Sequence, residues 1–230
     1  MSSGLEVNPE AAYRRGVVVP KNPTFSDLET LQSDSIEIEE PTWWDLRQIA
    51  ETNGIAPAAE IRSALSDHQF WLVQLGFSIV PAGDHIISWA RFLVKFEYAG
   101  QTIGPQVHSL LPRQTLRDPT APARAWIGAD FRLYYGADHV DQPIALFSYE
   151  SVVLKITGVG NLSSKPSWDV RAGQPHGVHG YVRTYVVVRK QTGTMMQSEF
   201  SFNARIETVH GNAGAVPPLL GGLVFRFNET

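Results

Sequence analysis

The stretch GQPHGVHGY places His176 and His179 three positions apart between glycines. Imidazole nitrogens are common zinc ligands, so such a pair is half of a possible metal centre. Its geometry argues against that use. On a strand, residues at an odd offset face opposite sides. A helix would align them, but Pro175, Gly177 and Gly180 oppose a helix there. The chain has no cysteine, so further ligands must come from His, Asp, Glu or backbone oxygen. Glu150, Asp169 and His210 are the candidates, and no spacing selects among them. The stretch is expected to be a bend feeding a strand from Tyr181, with His176 and His179 holding a metal only if a distant loop brings another ligand. No cofactor is expected.

Three adjacent acid–imidazole pairs, Asp67-His68, Asp84-His85 and Asp138-His139, raise general acid–base chemistry. Neighbours on a strand point to opposite faces, and the glycines of AGDH and GADHVD favour turns in which Asp bonds nearby backbone. A hydrolase would need the loops around 84–85, 138–139 and 176–179 to converge. There is no G-x-S-x-G elbow, P-loop or H-E-x-x-H run, and GVGNLS (158–163) lacks the third glycine of a dinucleotide loop.

Aromatic side chains offer a different chemistry. Trp43, Trp44, Trp71, Trp89, Trp126 and Trp168, with seven tyrosines, are candidate stacking platforms for a carbohydrate. Most fall within helix or strand patterns, where core packing is their commoner use. Trp71 is in phase with the apolar set of its strand. Trp89 is not: it lies with Leu93 among Arg91, Lys95 and Glu97, so either helices cover that face or it is a contact surface. A second contact candidate is the uncharged connection GNAGAVPPLLGGLVF (211–225), with Pro217, Leu219, Leu220 and Leu223, which otherwise folds over the end of the core.

These residues need elements to position them. PTWWDLRQIAETNG (41–54) reads as a helix with Thr42 as N-cap and Asp45 three residues on, and Asn53-Gly54 as its stop. A short second helix is expected over Pro57 to Leu65. Past Ser66 the period becomes two. Trp71, Val73, Leu75, Phe77 and Ile79 line one side of a strand, and Ser88, Ala90, Phe92, Val94, Phe96 and Tyr98 line one side of the next. The two are expected to form a long antiparallel hairpin across PAGDH. A second hairpin is expected across QTGT (191–194), joining GYVRTYVVVRK to a strand from Met196 to Thr208. Further strands are expected near 125–135, between 144 and 157, and at GGLVFRFN.

The fold class is therefore mainly β: an antiparallel β-sandwich of about 8–10 strands with one or two short N-terminal helices, a closed barrel being the alternative. Residues 41–230 are expected to form one domain opening with the helical segment 41–65. Residues 1–40 read as an extended acidic arm. From Ser26 to Pro41 there are six acidic residues and no basic one, so with a net charge of −4 the remainder is +2 by difference. The arm is either a solvated segment or lies on a basic groove of its own body or of a neighbouring subunit.

That net charge disfavours nucleic acid as a partner. No apolar run reaches the roughly 20 residues of a membrane span. The first twenty residues lack the apolar core of a signal peptide, so a soluble, cytoplasmic protein is expected, and the sequons at Asn161 and Asn228 read as chance matches. These readings favour a non-enzymatic β-sandwich that acts by protein–protein contact, as an assembly subunit or by self-assembly. A carbohydrate- or small-ligand-binding module and a hydrolase with a loop-borne His/Asp site are the alternatives.

Overall fold

A computed structural model describes residues 14–18, 35–81, 85–101, 104–113, 123–135, 143–149, 155–171, 177–178, 180–208, 213–215 and 220–227. In chain order the strands open with β1 (Arg14–Val18), β2 (Ser35–Glu39) and β3 (Thr42–Asp45), followed by helices α1 (Leu46–Thr52) and α2 (Ala59–Ala64). Next come β4 (His68–Val80), β5 (His85–Tyr98), β6 (Gln106–Leu111), β7 (Ala123–Ile127), β8 (Leu133–Tyr135) and β9 (Ala145–Tyr149). The last six are β10 (Lys155–Val159), β11 (Ser167–Arg171), β12 (Gly180–Gln191), β13 (Met196–Thr208), β14 (Ala213–Ala215) and β15 (Leu220–Phe227).

The strands form three antiparallel sheets, none closed into a barrel among the described residues. The first runs β1-β2-β4-β12-β6, with β3 sharing the edge of β4 beside β2. The second runs β10-β11-β5-β13-β14, with β15 also on β13. The third, β8-β7-β9, is small. The strand number exceeds the expected range because short segments split: residues 125–135 turn at Gly128–Phe131, and the expected terminal connection contains β14 and β15.

Neither expected hairpin forms. β4 lies in the first sheet and β5 in the second; β12 and β13 are divided in the same way. Each pair is an arch whose strands face one another across the core instead of sharing hydrogen bonds. The physical reason lies in the apolar faces: Phe77 of β4 meets Phe92 of β5 at 4.6 Å and Phe202 of β13 at 5.7 Å between ring centroids. Two strands paired edge to edge would have put those faces side by side and needed another layer to cover them. The arches interlock, β4 pairing with β12 along twelve residues and β5 with β13 along thirteen.

The first sheet is apolar on both faces. Val73, Leu75, Phe77, Val182, Val186 and Val188 pack toward the second sheet, with Phe92, Phe96, Trp168, Phe200 and Phe202 opposite. On the other face Phe70, Leu72, Tyr185 and Val187 meet Leu46, Ala50 and Ile61 of the helices, Ile127 and Leu133 of the third sheet, and Phe131 of the turn between β7 and β8. The helices therefore cover the first sheet, and among the described residues neither they nor the third sheet pack on the second sheet's outer face.

The first helix begins later than its pattern implied. Thr42–Asp45 is a strand, and Asp45 is itself the N-cap, its carboxylate accepting from the backbone N–H groups of Arg47 (2.8 Å) and Gln48 (3.4 Å). Alternation along β3 serves both cores: Trp43 packs with the first and Trp44 with the second. The stretch read as an arm contributes β1 and β2, the latter pairing with β4 through Ile38 opposite Phe77.

Candidate functional site

Trp89 and Leu93 lie on the outer face of the second sheet, half-buried and part of neither core. β5 is central in this sheet, so each outward residue has lateral neighbours on β11 and β13. Trp89 is flanked by Arg171 and Arg205, and Lys155 follows on β10 in the same row. The next row holds Thr157, Asp169, Arg91 and Asn203, and the one after holds Val159, Ser167, Leu93 and Ser201. A basic row around an aromatic is thus separated by an ion-paired row from a mixed one, in which Leu93 and Val159 stand either side of the buried Ser167.

Arg91 fixes that middle row. Its guanidinium donates to both carboxylate oxygens of Asp169, at 2.6 and 2.8 Å, a bidentate pair that keeps the fork in place. The hydrogen bond to Asp169 raises the guanidinium pKa further above its ordinary value. The same guanidinium lies 5.4 Å from the centroid of the Trp89 ring, a cation–π distance. Below it, Lys95 pairs with Glu97, which also accepts from Gln197. Val159 in the mixed row is 58% exposed, and Leu162, on the connection that follows, is 77% exposed with a φ of 63°. A bulky side chain in the left-handed region and in solvent has no packing reason to be there, which makes Leu162 a contact candidate.

A second polar cluster lies on the outer face of the first sheet. The Tyr181 hydroxyl donates to Glu39 Oε2 at 2.6 Å and accepts from Arg183 Nε at 3.2 Å, with the Arg183 guanidinium 5.3 Å from the Tyr181 ring centroid. Burial, and then the bond to the Glu39 carboxylate, push the Tyr181 phenol up. Gly76 lies beneath this contact and leaves room for it. The cluster clamps β2 onto β4 and β12, and it was missed because its members are far apart in sequence and individually unremarkable.

The acid–imidazole pairs do not assemble into dyads where they can be seen. His68 begins β4 with Nδ1 3.2 Å from Arg189 Nη2, while Asp67 lies in the preceding turn. His85 begins β5; Asp84, Asp138, His139, His176 and His179 lie outside the described residues. His108, which the sequence did not single out, is held by the Asp130 carbonyl (2.9 Å) and the edge of Phe70, and its burial lowers its pKa. Among the described residues no group of His, Asp and Glu is placed to hold a metal. Nor is any helix long and apolar enough to cross a membrane.

The other contact candidates divide. Pro217 and Leu219 lie outside the described residues, whereas Leu220 and Leu223 belong to β15, in register with Phe202 and Phe200 of β13. Of the six tryptophans, Trp71 and Trp168 are buried in the core and the other four are half-buried.

No family model matches the chain, and no curated protein matches it. Among solved structures it is similar to Clostridium perfringens delta-toxin, with 8% identity, a TM-score of 0.41 and coverage of 94% of this chain and 86% of that one. It is also similar to the Clostridium perfringens NetB toxin in the membrane-inserted form, with 8% identity, a TM-score of 0.29 and coverage of 94% of each chain. Likenesses of this size carry no statement about what the chain does.

Proposed function

We propose that this chain is a non-enzymatic docking protein whose working surface is the outer face of the second sheet, centred on Trp89 and Leu93. One observation carries the reading: apolar side chains are placed on a sheet face that the helices and the third sheet leave uncovered, because those elements lie on the first sheet. Half-buried Trp89 and Leu93 with the 58%-exposed Val159, set among charged and polar groups, have the make-up of a protein–protein contact. A sugar platform fits less well, since Arg91 already lies over the Trp89 ring.

Photo-cross-linking tests the reading. A benzophenone side chain at Leu93 should capture a protein chain, either another copy or a cellular partner, while the same group at Arg62 on α2 should not. Equal labelling from both positions, or none from Leu93, would remove the support for a docking face.

A further inference from the structure

Arg189 is a half-buried cation that the chain does not neutralise. It lies on β12 between Phe70 of β4 and Gln106 of β6, at the margin of the second core. Its Nη2 donates to His68 Nδ1 at 3.2 Å, and its Nε is buried with no hydrogen bond. Among the described residues no carboxylate is within ion-pairing distance of it. A guanidinium so placed has lost water without gaining a counter-charge, which is costly. An unbonded buried donor calls for an explanation, and a bound ion is one. His108 approaches the same place from β6, its ring 5.3 Å from that of Phe70 across β12, on the face that carries His68 and Arg189. Burial lowers its pKa first, and the charges of Arg132 and Arg189 lower it further, while Asp130 acts against them. Asp130 is already engaged: Oδ2 accepts from Tyr134 at 2.6 Å, Oδ1 from the Arg132 N–H at 3.1 Å, and Arg132 Nε lies 3.8 Å away. The turn beside it is strained, because Phe131 is buried against Phe70 with a φ of 57°. Such strain gathers where a protein holds a geometry for use. Here the turn keeps the Asp130 carbonyl 2.9 Å from His108 Nε2.

We propose that Arg189, flanked by His68 and His108, binds a small oxyanion, the phosphate or carboxylate group of a soluble ligand. The site belongs to the first sheet and is independent of the docking face on the second. The hydrogen-bond directions suit an anion. Because His68 Nδ1 accepts from Arg189, its proton is on Nε2, which adds a donor beside the cation. His108 gives its Nε2 proton to the Asp130 carbonyl, so Nδ1 is the nitrogen that takes up a proton when negative charge arrives. A planar guanidinium offers paired donors that match phosphate or carboxylate oxygens. Its buried flank lowers the local dielectric and strengthens the attraction. One guanidinium with two imidazoles complements a single group of one or two negative charges, whereas a cationic ligand would be repelled by Arg189.

Titration with inorganic phosphate and with acetate, each against chloride at equal ionic strength, tests it by imidazole NMR and thermal unfolding. In the wild-type chain one or both anions should displace the His68 and His108 resonances, raise the pKa of His108 and raise Tm. A larger response to phosphate assigns the group as phosphoryl, and a larger response to acetate assigns it as carboxylate. R189Q should weaken the binding at least about tenfold. R189K keeps the charge but loses the fork, so it should fall between R189Q and the wild type. R62Q, on the exposed side of α2, should bind as the wild type does. Wild-type imidazole signals that neither anion moves beyond the chloride control would overturn the proposal, and that result needs no variant to fold. A response that R189Q retains in full, or that R62Q loses equally, would also overturn it.

Discussion

Gly76→Ala probes the clamp on β2 with a sign that depends on its neighbours. A methyl group there would come within 3.0 Å of both the Glu39 carboxylate and the Tyr181 hydroxyl, closer than side chains tolerate. Both obstacles are ends of side chains, so they can move, and the cost is the hydrogen bond they share. A bond to a charged group contributes about 1.5–3 kcal/mol; with both partners half-buried, the lower figure applies. Replacing a glycine inside a strand returns about 0.5–1 kcal/mol. The net loss is then about 1 kcal/mol, or about 2–4 °C in Tm for a chain of this size. In an E39A/Y181F background the obstacle and the bond are both absent, so the same substitution should stabilise by about 0.5–1 kcal/mol. Urea unfolding followed by tryptophan fluorescence gives the four stabilities of the cycle. An effect of Gly76→Ala equal in the two backgrounds to within about 0.3 kcal/mol would show that the methyl does not act through Glu39 and Tyr181.

His108 titrates below its unfolded value of about 6.5 because burial penalises its charged form. Its contribution is therefore complete above that pH and is lost as pH falls, so H108Q should flatten the decline in stability below neutrality in urea titrations. Tyr134 behaves in the opposite sense: burial, then its bond to Asp130, raise its phenol to about 12. Its stabilisation is full below the unfolded value of about 10 and disappears as pH rises toward 12. Alkaline absorbance titration should show a late-ionising tyrosine that Y134F removes. Phe92→Ala should cost about 3–5 kcal/mol, since its buried ring meets Phe77, Phe200 and Trp168. Arg91→Ala, on the exposed face, should cost about 1 kcal/mol or less, and equal losses at the two positions would contradict the assignment of inner and outer faces.

Period-two alternation identified the inward sets of β4, β5 and β13 because each strand has an apolar face to hide. The same alternation cannot say which edge partner a strand takes, and a short turn between two patterned strands suits an arch as well as a hairpin. β4 made the distinction hard to see: it reads as one-sided from Trp71 to Ile79, yet Phe70 and Leu72 on its other side are buried in a second core. That continuous apolar run was the sign of a strand covered on both faces, and hence of a middle layer. The Trp43-Trp44 pair misled in a related way. Two adjacent tryptophans fit a helix only by exposing one, whereas a strand between two cores packs one against each. The basic row around Trp89 was not legible at all, because Arg171 and Arg205 come beside it only through sheet pairing over separations of dozens of residues.

The orientation of Trp89 depends on one irregularity. Ile87 is buried and pairs with Ile206, while Trp89 pairs with Arg205, so the register slips by one residue at Ser88, a β-bulge. Without that bulge, alternation from Ile87 would turn Trp89 into the core and Ala90 out. With it, Ile87 and Ala90 both reach the core and the indole is left on the outside, next to Arg91. Bulges commonly re-aim a side chain where a protein uses it. The bulge, the bidentate Arg91–Asp169 pair and the exposed Val159 occur on one face: the bulge holds a tryptophan outward, the pair fixes the cation beside it, and Val159 stands exposed two strands away.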